Sequence, residues 1–225
     1  MADALRRDNV AVIAEIKRRS PSKGPINPGL AAADQALAYA AGGASALSVL
    51  TEPTSFGGDN EDIAAARVAE LPILKKDFHV SEVQLVEARA LGASAALIIV
   101  RAIEPARLAD LAEAAREIDL ELLFEVRDES ELERALKVGA TMIGVNNRNL
   151  ETLVIDPETV SRILPLIPSS CIAIAESGYS TAADVGRAAQ AGADAVLVGS
   201  VLSASPDPSA AVALLSVVPR QSRHS

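Results

Sequence analysis

The sequence predicts a single-domain α/β protein with the fold of a (β/α)8 TIM barrel. Eight apolar runs of strand length alternate with amphipathic, alanine-rich stretches along its 225 residues. Charged and amide side chains stand at the ends of several of these runs. A strand buried on both faces tolerates such residues only where it emerges into a polar site, and a barrel builds its active site at the carboxyl ends of its strands.

The strands are predicted at regular intervals. A Gly-Ala step closes a helical stretch and leads into an apolar run at Gly43, Gly92, Gly139 and Gly192, about every 50 residues. Because glycine is favoured just after a helix end, each step marks a helix followed by a strand, and the interval corresponds to two βα units. With four further apolar runs between the steps, the predicted strands cover residues 10–16, 46–50, 72–78, 95–100, 120–126, 142–145, 171–175 and 195–198.

An open, doubly wound sheet is the alternative for alternating βα units. No glycine-rich phosphate loop follows the first strand, and eight even units favour closure into a barrel. We therefore expect residues 1–225 to form one barrel domain. Residues 1–9 are interpreted as the remnant of an N-terminal helix, and residues 217–225, which have no apolar face, as a disordered tail.

The composition excludes several classes of function. No apolar run reaches the roughly 18–20 residues that span a bilayer, and the N-terminus does not resemble a signal peptide, so we expect a soluble, cytoplasmic protein. A net charge of -9 argues against nucleic acid or an anionic membrane as partner but leaves room for an anionic small molecule. A monomer is the simplest expectation.

A thiol-based mechanism is not expected. Cys171 is the single cysteine, it opens an apolar run, and neither of the two histidines, His79 and His224, is a plausible partner for it. A small buried residue fits that position.

The first strand ends in Glu15-Ile16-Lys17, and strand alternation directs Glu15 and Lys17 to the same face. A structural ion pair that plugs the barrel would account for them. The following loop, residues 18–24, is rich in cationic and hydroxyl groups, including Ser20, which favours a functional site that binds an anion.

Further candidate site residues lie at the ends of the later strands. Of Lys75 and Lys76, alternation admits one into the site, where a lysine could act as general acid, electrostatic clamp or Schiff-base former. The other polar residues at strand ends are Glu125, Asn146, Asn147, Arg148, Glu176, Ser177, Gly178, Gly199 and Ser200. The last four lie where barrels often bind phosphate. Phe56 and Phe78, two of three phenylalanines, follow strands two and three and are predicted to stack on an aromatic ligand.

Together these segments resemble the indole-3-glycerol phosphate synthase family over residues 10–215. The matching segments are EIKRRSPS (15–22), LSVLTE (47–52) with FGG (56–58), LKKDF (74–78), FEV (124–126), GVNNRNL (144–150), AESG (175–178) and VLVGS (196–200). The resemblance implies a (β/α)8 carbon-carbon lyase of tryptophan biosynthesis. Such an enzyme needs no metal or organic cofactor, and it converts 1-(2-carboxyphenylamino)-1-deoxyribulose 5-phosphate into indole-3-glycerol phosphate, carbon dioxide and water.

The resemblance also assigns roles. Lys76 corresponds to the cationic acid, Glu125 to the general base, and Lys17 to the lysine that holds the substrate carboxylate and acts in dehydration. Glu15, Asn146 and Glu176 correspond to residues that orient the substrate, and Arg148 corresponds to an arginine near its carboxylate. The phosphate cradle corresponds to Ser20, Ser177, Gly178, Gly199 and Ser200. The pocket for the anilino ring corresponds to Phe56 and Phe78.

One departure from the family is a shortened N-terminal extension, since fourteen residues precede Glu15 where family members carry some tens. We expect activity, with weaker substrate binding or lower stability. Two rivals remain. A phosphoribosylanthranilate isomerase-like enzyme would need a cysteine or aspartate pair, but Cys171 begins a strand. A catalytically silent phosphate-ligand binding barrel would keep the site without turnover.

Overall fold

The computed structural model describes residues 1–223, and in this range eight parallel strands close into a barrel, as the sequence predicts. The strands are β1 Ala11–Ile16, β2 Ala46–Leu50, β3 Ile73–Lys76, β4 Ala95–Ile99, β5 Glu121–Val126, β6 Met142–Asn146, β7 Ile172–Glu176 and β8 Ala195–Val198. Each pairs with its neighbours in chain order. Strand β1 closes the ring by pairing with both β2 (Ile13 opposite Ala46) and β8 (Ala11 opposite Ala195).

Helices connect the strands and cover the outside of the barrel. They are α1 Ala2–Leu5, α2 Ala32–Ala41, α3 Pro53–Phe56, α4 Glu61–Ala66, α5 Glu82–Leu91, α6 Pro105–Glu117, α7 Glu129–Lys137, α8 Glu158–Ile163, α9 Ala182–Gln190, α10 Ser200–Ser203 and α11 Pro208–Leu215. Across residues 1–223, every helix is too short or too polar to cross a lipid bilayer.

The helix ends follow from local chemistry. Asp128 accepts a hydrogen bond from Glu131 N at 2.8 Å at the start of α7, and Thr181 and Asp184 cap the start of α9 reciprocally. The four glycines of the Gly-Ala steps all have left-handed backbone conformations, with φ between 80° and 95°. The predicted change from helix to strand at each step is confirmed.

The inside of the barrel changes character from one end to the other. Inward-facing apolar side chains such as Ile13, Leu74 and Leu123 form one buried cluster, which Leu5 of α1 joins from the amino-terminal end. Ala2 N donates to Glu121 at the start of β5, which holds α1 at this end. The charged residues that face the inside of the barrel, such as Glu15 and Lys76, lie instead at the carboxyl-terminal end.

A short hairpin, Arg19–Ser20 paired with Gly24–Pro25, follows β1 and was not expected from the sequence. It lies in the loop that the sequence analysis marked for its anion-binding groups. The loop therefore has a defined backbone shape as it leaves the barrel.

The expectation of a disordered tail does not hold for residues 217–223. Val218 O accepts from Val10 N at 2.8 Å and Arg220 N donates to Asp8 O at 2.9 Å, so this segment lies beside the entry to β1. Arg223 pairs with buried Asp194 at 2.7 Å. Backbone pairing and a buried ion pair supply the order that composition did not indicate. His224 and Ser225, which belong to the same expectation, lie outside the described residues.

Candidate functional site

A cavity of about 420 Å³ opens at the carboxyl-terminal ends of the strands. All fourteen site residues selected from the sequence line it, although they are spread over most of the chain. They are Glu15, Lys17, Ser20, Phe56, Lys76, Phe78, Glu125, Asn146, Arg148, Glu176, Ser177, Gly178, Gly199 and Ser200. Their side-chain roles, which location does not test, stay predictions.

Strand alternation explains which side chains enter the cavity. Glu15 has the same parity as inward-facing Ile13, and Lys76 has the same parity as Leu74. Lys76 therefore enters the barrel, whereas Lys75 points outward. The same alternation brings Glu125, Asn146 and Glu176 to the inside from β5, β6 and β7.

Lys76 lies among carboxylates at the bottom of the cavity. Its Nζ is 3.2 Å from Glu15 Oε2 and 3.7 Å from Glu176 Oε2. The other oxygen of Glu15 is 2.5 Å from Lys17 Nζ. Glu15 thus bridges the two lysines, and both of its oxygens are committed to a cation.

These contacts set the protonation states of Glu15 and Lys76. Burial favours the neutral acid, but Lys17 and Lys76 outweigh it and lower the pKa of Glu15 to about 2. Burial also disfavours the ammonium of Lys76, yet the carboxylates of Glu15, Glu176 and Glu125 raise its pKa above the ordinary value. A lysine held as a cation suits a proton donor or clamp, since a Schiff-base former needs a neutral amine.

Glu176 differs from Glu15 in both partners and charge. Burial, followed by the negative charge of Glu125, raises the pKa of Glu176 to about 8 against the opposing effect of Lys76. Both of its oxygens are buried without a hydrogen-bond partner within residues 1–223, because the 3.7 Å contact to Lys76 is electrostatic only. Near neutral pH this carboxyl group is a hydrogen-bond donor aimed into the cavity.

A glycine makes room for that carboxyl group. A Cβ at Gly144, on the neighbouring strand β6, would lie 2.0 Å from Glu176 Oε1. A larger residue at position 144 would therefore collide with Glu176 inside the barrel. The sequence pattern did not indicate this requirement for glycine.

The two asparagines at the end of β6 point in different directions. Asn146 lines the cavity, and its Oδ1 accepts from Arg148 N at 2.9 Å. Asn147 points away and holds neighbouring loops instead, since its Nδ2 donates to Ser177 O at 3.1 Å and its Oδ1 accepts from Val160 N at 3.1 Å. Arg148 Nη1 donates to Leu153 O at 2.7 Å, which keeps the guanidinium at the rim.

The rim after β7 and β8 carries backbone and hydroxyl groups suited to an anion. Ser177 and Gly178 are consecutive residues with left-handed φ of 65° and 94°, a strained conformation for serine. With Ser20, Gly199 and Ser200 they surround one side of the cavity, and Lys23 of the hairpin loop also lines it. Neutral donors and a cation on the same side are suitable for a phosphate group.

The cavity also has apolar walls beyond Phe56 and Phe78, of which Phe78 is 50% exposed. Leu97, Ile99, Leu150, Ile155 and Leu197 line it and were not selected from the sequence. The strand register places Ile99 opposite Glu125 and Leu197 opposite Glu176, so these residues face the same side, and Leu97 follows from alternation along β4. The loop residues carried no such signal.

Cys171 and His79 lie outside this cavity. Cys171 is buried beside the start of β7, where its Sγ donates to Ala140 O at 3.4 Å. This is the amino-terminal end of the barrel, which leaves the thiol no route to the site. His79 is buried with Nδ1 2.9 Å from Leu97 O, on the outer side of the wall.

Comparison with known proteins gives a consistent family. Residues 1–215 match the family model for indole-3-glycerol phosphate synthase. A Nocardioides sp. protein of that name is 50% identical over 209 residues, which cover 92% of this chain and 80% of the relative. An Opitutus terrae protein of the same name is 48% identical over 220 residues, which cover 94% and 83%.

Solved structures of other proteins share the fold. Thiamine phosphate pyrophosphorylase from Pyrococcus furiosus superposes with a TM-score of 0.67 at 16% identity, over 94% of this chain and 95% of that one. A mandelate oxidase mutant superposes with a TM-score of 0.63 at 18% identity, over 92% and 71%. At such low identity the likeness extends to the barrel alone.

Proposed function

The chain belongs to the indole-3-glycerol phosphate synthase family, and we propose that this cavity converts 1-(2-carboxyphenylamino)-1-deoxyribulose 5-phosphate into indole-3-glycerol phosphate. The enzyme is a carboxy-lyase of tryptophan biosynthesis that acts on a phosphorylated small molecule. The observation that carries the proposal is Lys76, a cation held among buried carboxylates at the bottom of the cavity.

Ring closure is the step for Lys76. The electron-rich anilino ring attacks the ribulose carbonyl carbon, and negative charge develops on the carbonyl oxygen. An ammonium group fixed in a buried site stabilises that charge and supplies a proton to it. Glu15 holds Lys76 and Lys17 at once, so that both cations are in place before the substrate binds.

Loss of carbon dioxide restores the aromatic ring, and loss of water completes the indole. Lys17 and Arg148 bind the substrate carboxylate before it departs. Glu125 acts as the general base in dehydration, and Lys17 donates a proton to the leaving hydroxyl. The neutral Glu176 and the Asn146 amide donate hydrogen bonds that orient the substrate hydroxyls.

The two ends of the substrate bind at opposite sides of the cavity. Its phosphate accepts hydrogen bonds from Ser20, Ser177, Gly178, Gly199 and Ser200. Its anilino ring packs between Phe56 and Phe78 beside the apolar walls. The cavity volume of about 420 Å³ is within the usual range for a small-molecule site.

A monomer acting in the cytoplasm completes the proposal. The sequence has no evident apolar surface stripe that a subunit interface would cover, which supports a monomeric enzyme. A biosynthetic role on a phosphorylated small molecule supports the cytoplasmic location. Sedimentation at working concentration tests the first point, because a dimer mass there would contradict it.

The function is tested by indole fluorescence when the purified protein meets the substrate. We expect product from the parent and a loss of at least about 100-fold in Glu125→Gln, the usual scale for removing a general base. Glu121→Gln is the matched control, since Glu121 lies at the amino-terminal end of the same strand. A parent that binds inorganic phosphate but forms no indole product would be a binding barrel, and the proposal would be rejected.

A further inference from the structure

The end of strand β1, which carries Glu15 and is followed directly by Lys17, extends past its neighbour β8. The pairing of β1 with β8 stops at Ala14 opposite Val198. In a parallel ladder, the carbonyl of one residue and the N–H of the residue two positions later bond to a single residue of the adjacent strand. Beyond Ala14, β8 supplies no such residue for Glu15 O and Lys17 N.

A serine hydroxyl takes that place. Ser203 Oγ donates to Glu15 O at 3.0 Å and accepts from Lys17 N at 3.3 Å. One hydroxyl group therefore acts as both the donor and the acceptor that the N–H and C=O of a residue in β8 would otherwise supply. Ser203 is fully buried, so water does not compete for either bond.

A buried tyrosine supports the same point. Tyr39 of α2 is fully buried, its hydroxyl donates to Glu15 O at 3.1 Å, and it lies 3.3 Å from Ser203 Oγ. Glu15 O thus accepts from two side chains that belong to two different helices. Hydrogen bonds from side chains outside the barrel therefore hold the backbone at Glu15 and Lys17 in position.

The same serine is joined to the anion-binding rim. Ser203 ends α10, which begins at Ser200 directly after Gly199, and Ser203 N donates to Gly199 O at 2.9 Å. A Cβ at Gly199 would lie 2.2 Å from Glu15 Oε1 and 2.9 Å from Lys17 Nζ. The rim therefore contacts this ion pair directly and holds its backbone through Ser203.

We infer that Ser203 and Tyr39 are positioning residues, which fix the backbone of Glu15 and Lys17 relative to the rim that binds the substrate phosphate. The inference rests on the proposed function, because it concerns where Lys17 stands during the chemical steps. Without the Ser203 hydroxyl, Lys17 N and Glu15 O each lose a bond and the strand end shifts. A shift of about 1 Å at a reacting group costs up to about 100-fold in rate.

The test is Ser203→Ala, assayed well below its unfolding temperature. We expect kcat to fall at least about tenfold. The Kd for inorganic phosphate should change less than about threefold, because the phosphate-binding groups themselves remain. A merely structural serine would lower stability and leave kcat per folded molecule unchanged.

Ser94→Ala is the matched control, since Ser94 Oγ also accepts from a strand N–H, that of Ile73 at 3.4 Å, but at the amino-terminal end of the barrel. It should keep the parental kcat. If Ser203→Ala does not fold, Tyr39→Phe removes one donor with little change in volume and should lower kcat about threefold, with phosphate affinity intact.

The outcomes separate the two proposals. An active parent whose folded variants, Ser203→Ala or Tyr39→Phe, keep kcat within twofold would overturn the positioning role alone. A parent without turnover would reject the proposed function, and the positioning role with it.

Discussion

Two neighbouring lysines on opposite faces of β3 show how the barrel wall separates two kinds of ion pair. Lys75 lies outside, 2% exposed, with Nζ 3.4 Å from Asp77 Oδ2 and 3.5 Å from Glu87 Oε2. Lys76 lies inside the cavity among Glu15 and Glu176. Residue type and position in the chain are nearly the same, so the face of the strand makes the difference.

The partners of the two lysines differ in what they leave free. Asp77 reaches the rim of the cavity but is occupied by protein, since it accepts from Thr51 Oγ1 at 2.5 Å and from Phe78 N at 2.8 Å. On the inner face, both oxygens of Glu176 are buried and without a hydrogen-bond partner in the described part of the chain. An outer pair that is saturated supports structure, whereas an inner set with free capacity can bind a substrate.

Removing each lysine in turn tests most directly whether the two faces of β3 have separate roles. Lys76→Met should lower kcat/KM at least about 100-fold, because the developing charge loses its proton donor. Lys75→Met should stay within about threefold of the parent, since its ammonium never reaches the cavity. Product fluorescence over a range of substrate concentrations measures both. Equal losses in the two variants would show that the wall does not separate the roles.

A methyl group placed on the inner face tests the space around Glu176. Gly144→Ala should lower kcat/KM by tens of fold, because the new Cβ would displace the carboxyl group of Glu176 from its position. Gly186→Ala is the control, since Gly186 lies in α9 with nothing within 4 Å of an added Cβ. It should keep full activity and gain about 0.5–1 kcal/mol in unfolding free energy. Unchanged kcat/KM in Gly144→Ala would contradict the packing argument.

The pH dependence of kcat/KM should distinguish the role of Glu176 from that of Glu15. Glu176 is protonated below its pKa of about 8, so kcat/KM should fall as pH rises through about 8 if the neutral acid is the hydrogen-bond donor. Glu15, with a pKa of about 2, stays ionised throughout. The alkaline decline should disappear in Glu176→Gln. A decline that persists in that variant would have to be assigned to another group.

The same pKa has a consequence for stability. The folded-state pKa of Glu176 lies above the ordinary value of 4.5, so its protonated form favours the native state. This contribution is fully present below pH 4.5 and is lost as pH rises through about 8. Urea unfolding should therefore show the parent losing stability relative to Glu176→Gln over that range.

The smallest effect is expected on the outer face. Lys75→Met should lower the unfolding free energy by about 1–2 kcal/mol, because Asp77 loses a cation but keeps its two hydrogen bonds. Urea denaturation measures this at neutral pH. Lys76→Met, measured in parallel, should cost more, because the raised pKa of Lys76 means that its ammonium stabilises the folded state, and its loss leaves the buried Glu15 with Lys17 alone. A loss for Lys75→Met as large as that for Lys76→Met would contradict this difference between the two faces.

Local pattern was sufficient for much of the fold and the site. Gly92 and Gly139 marked helix ends because a left-handed residue there is a requirement of neighbouring backbone alone. Alternation from Glu15 to Lys17, and the isolated Glu125 in an apolar run, indicated the inner face for the same reason. The tail was misread because its order comes from Asp194, which lies 29 residues from Arg223.

By itself, then, the sequence determined a closed βα barrel with its chemistry at one end, because strand period, helix-end glycines and polar strand ends are local signals. The tertiary structure alone decided that the pKa values of Lys76 and Glu176 are both raised, since those values depend on charges contributed by four different strands. It alone joined Ser203 to Lys17, which are 186 residues apart. Distances between remote residues are set by closure of the barrel, and no local pattern encodes them.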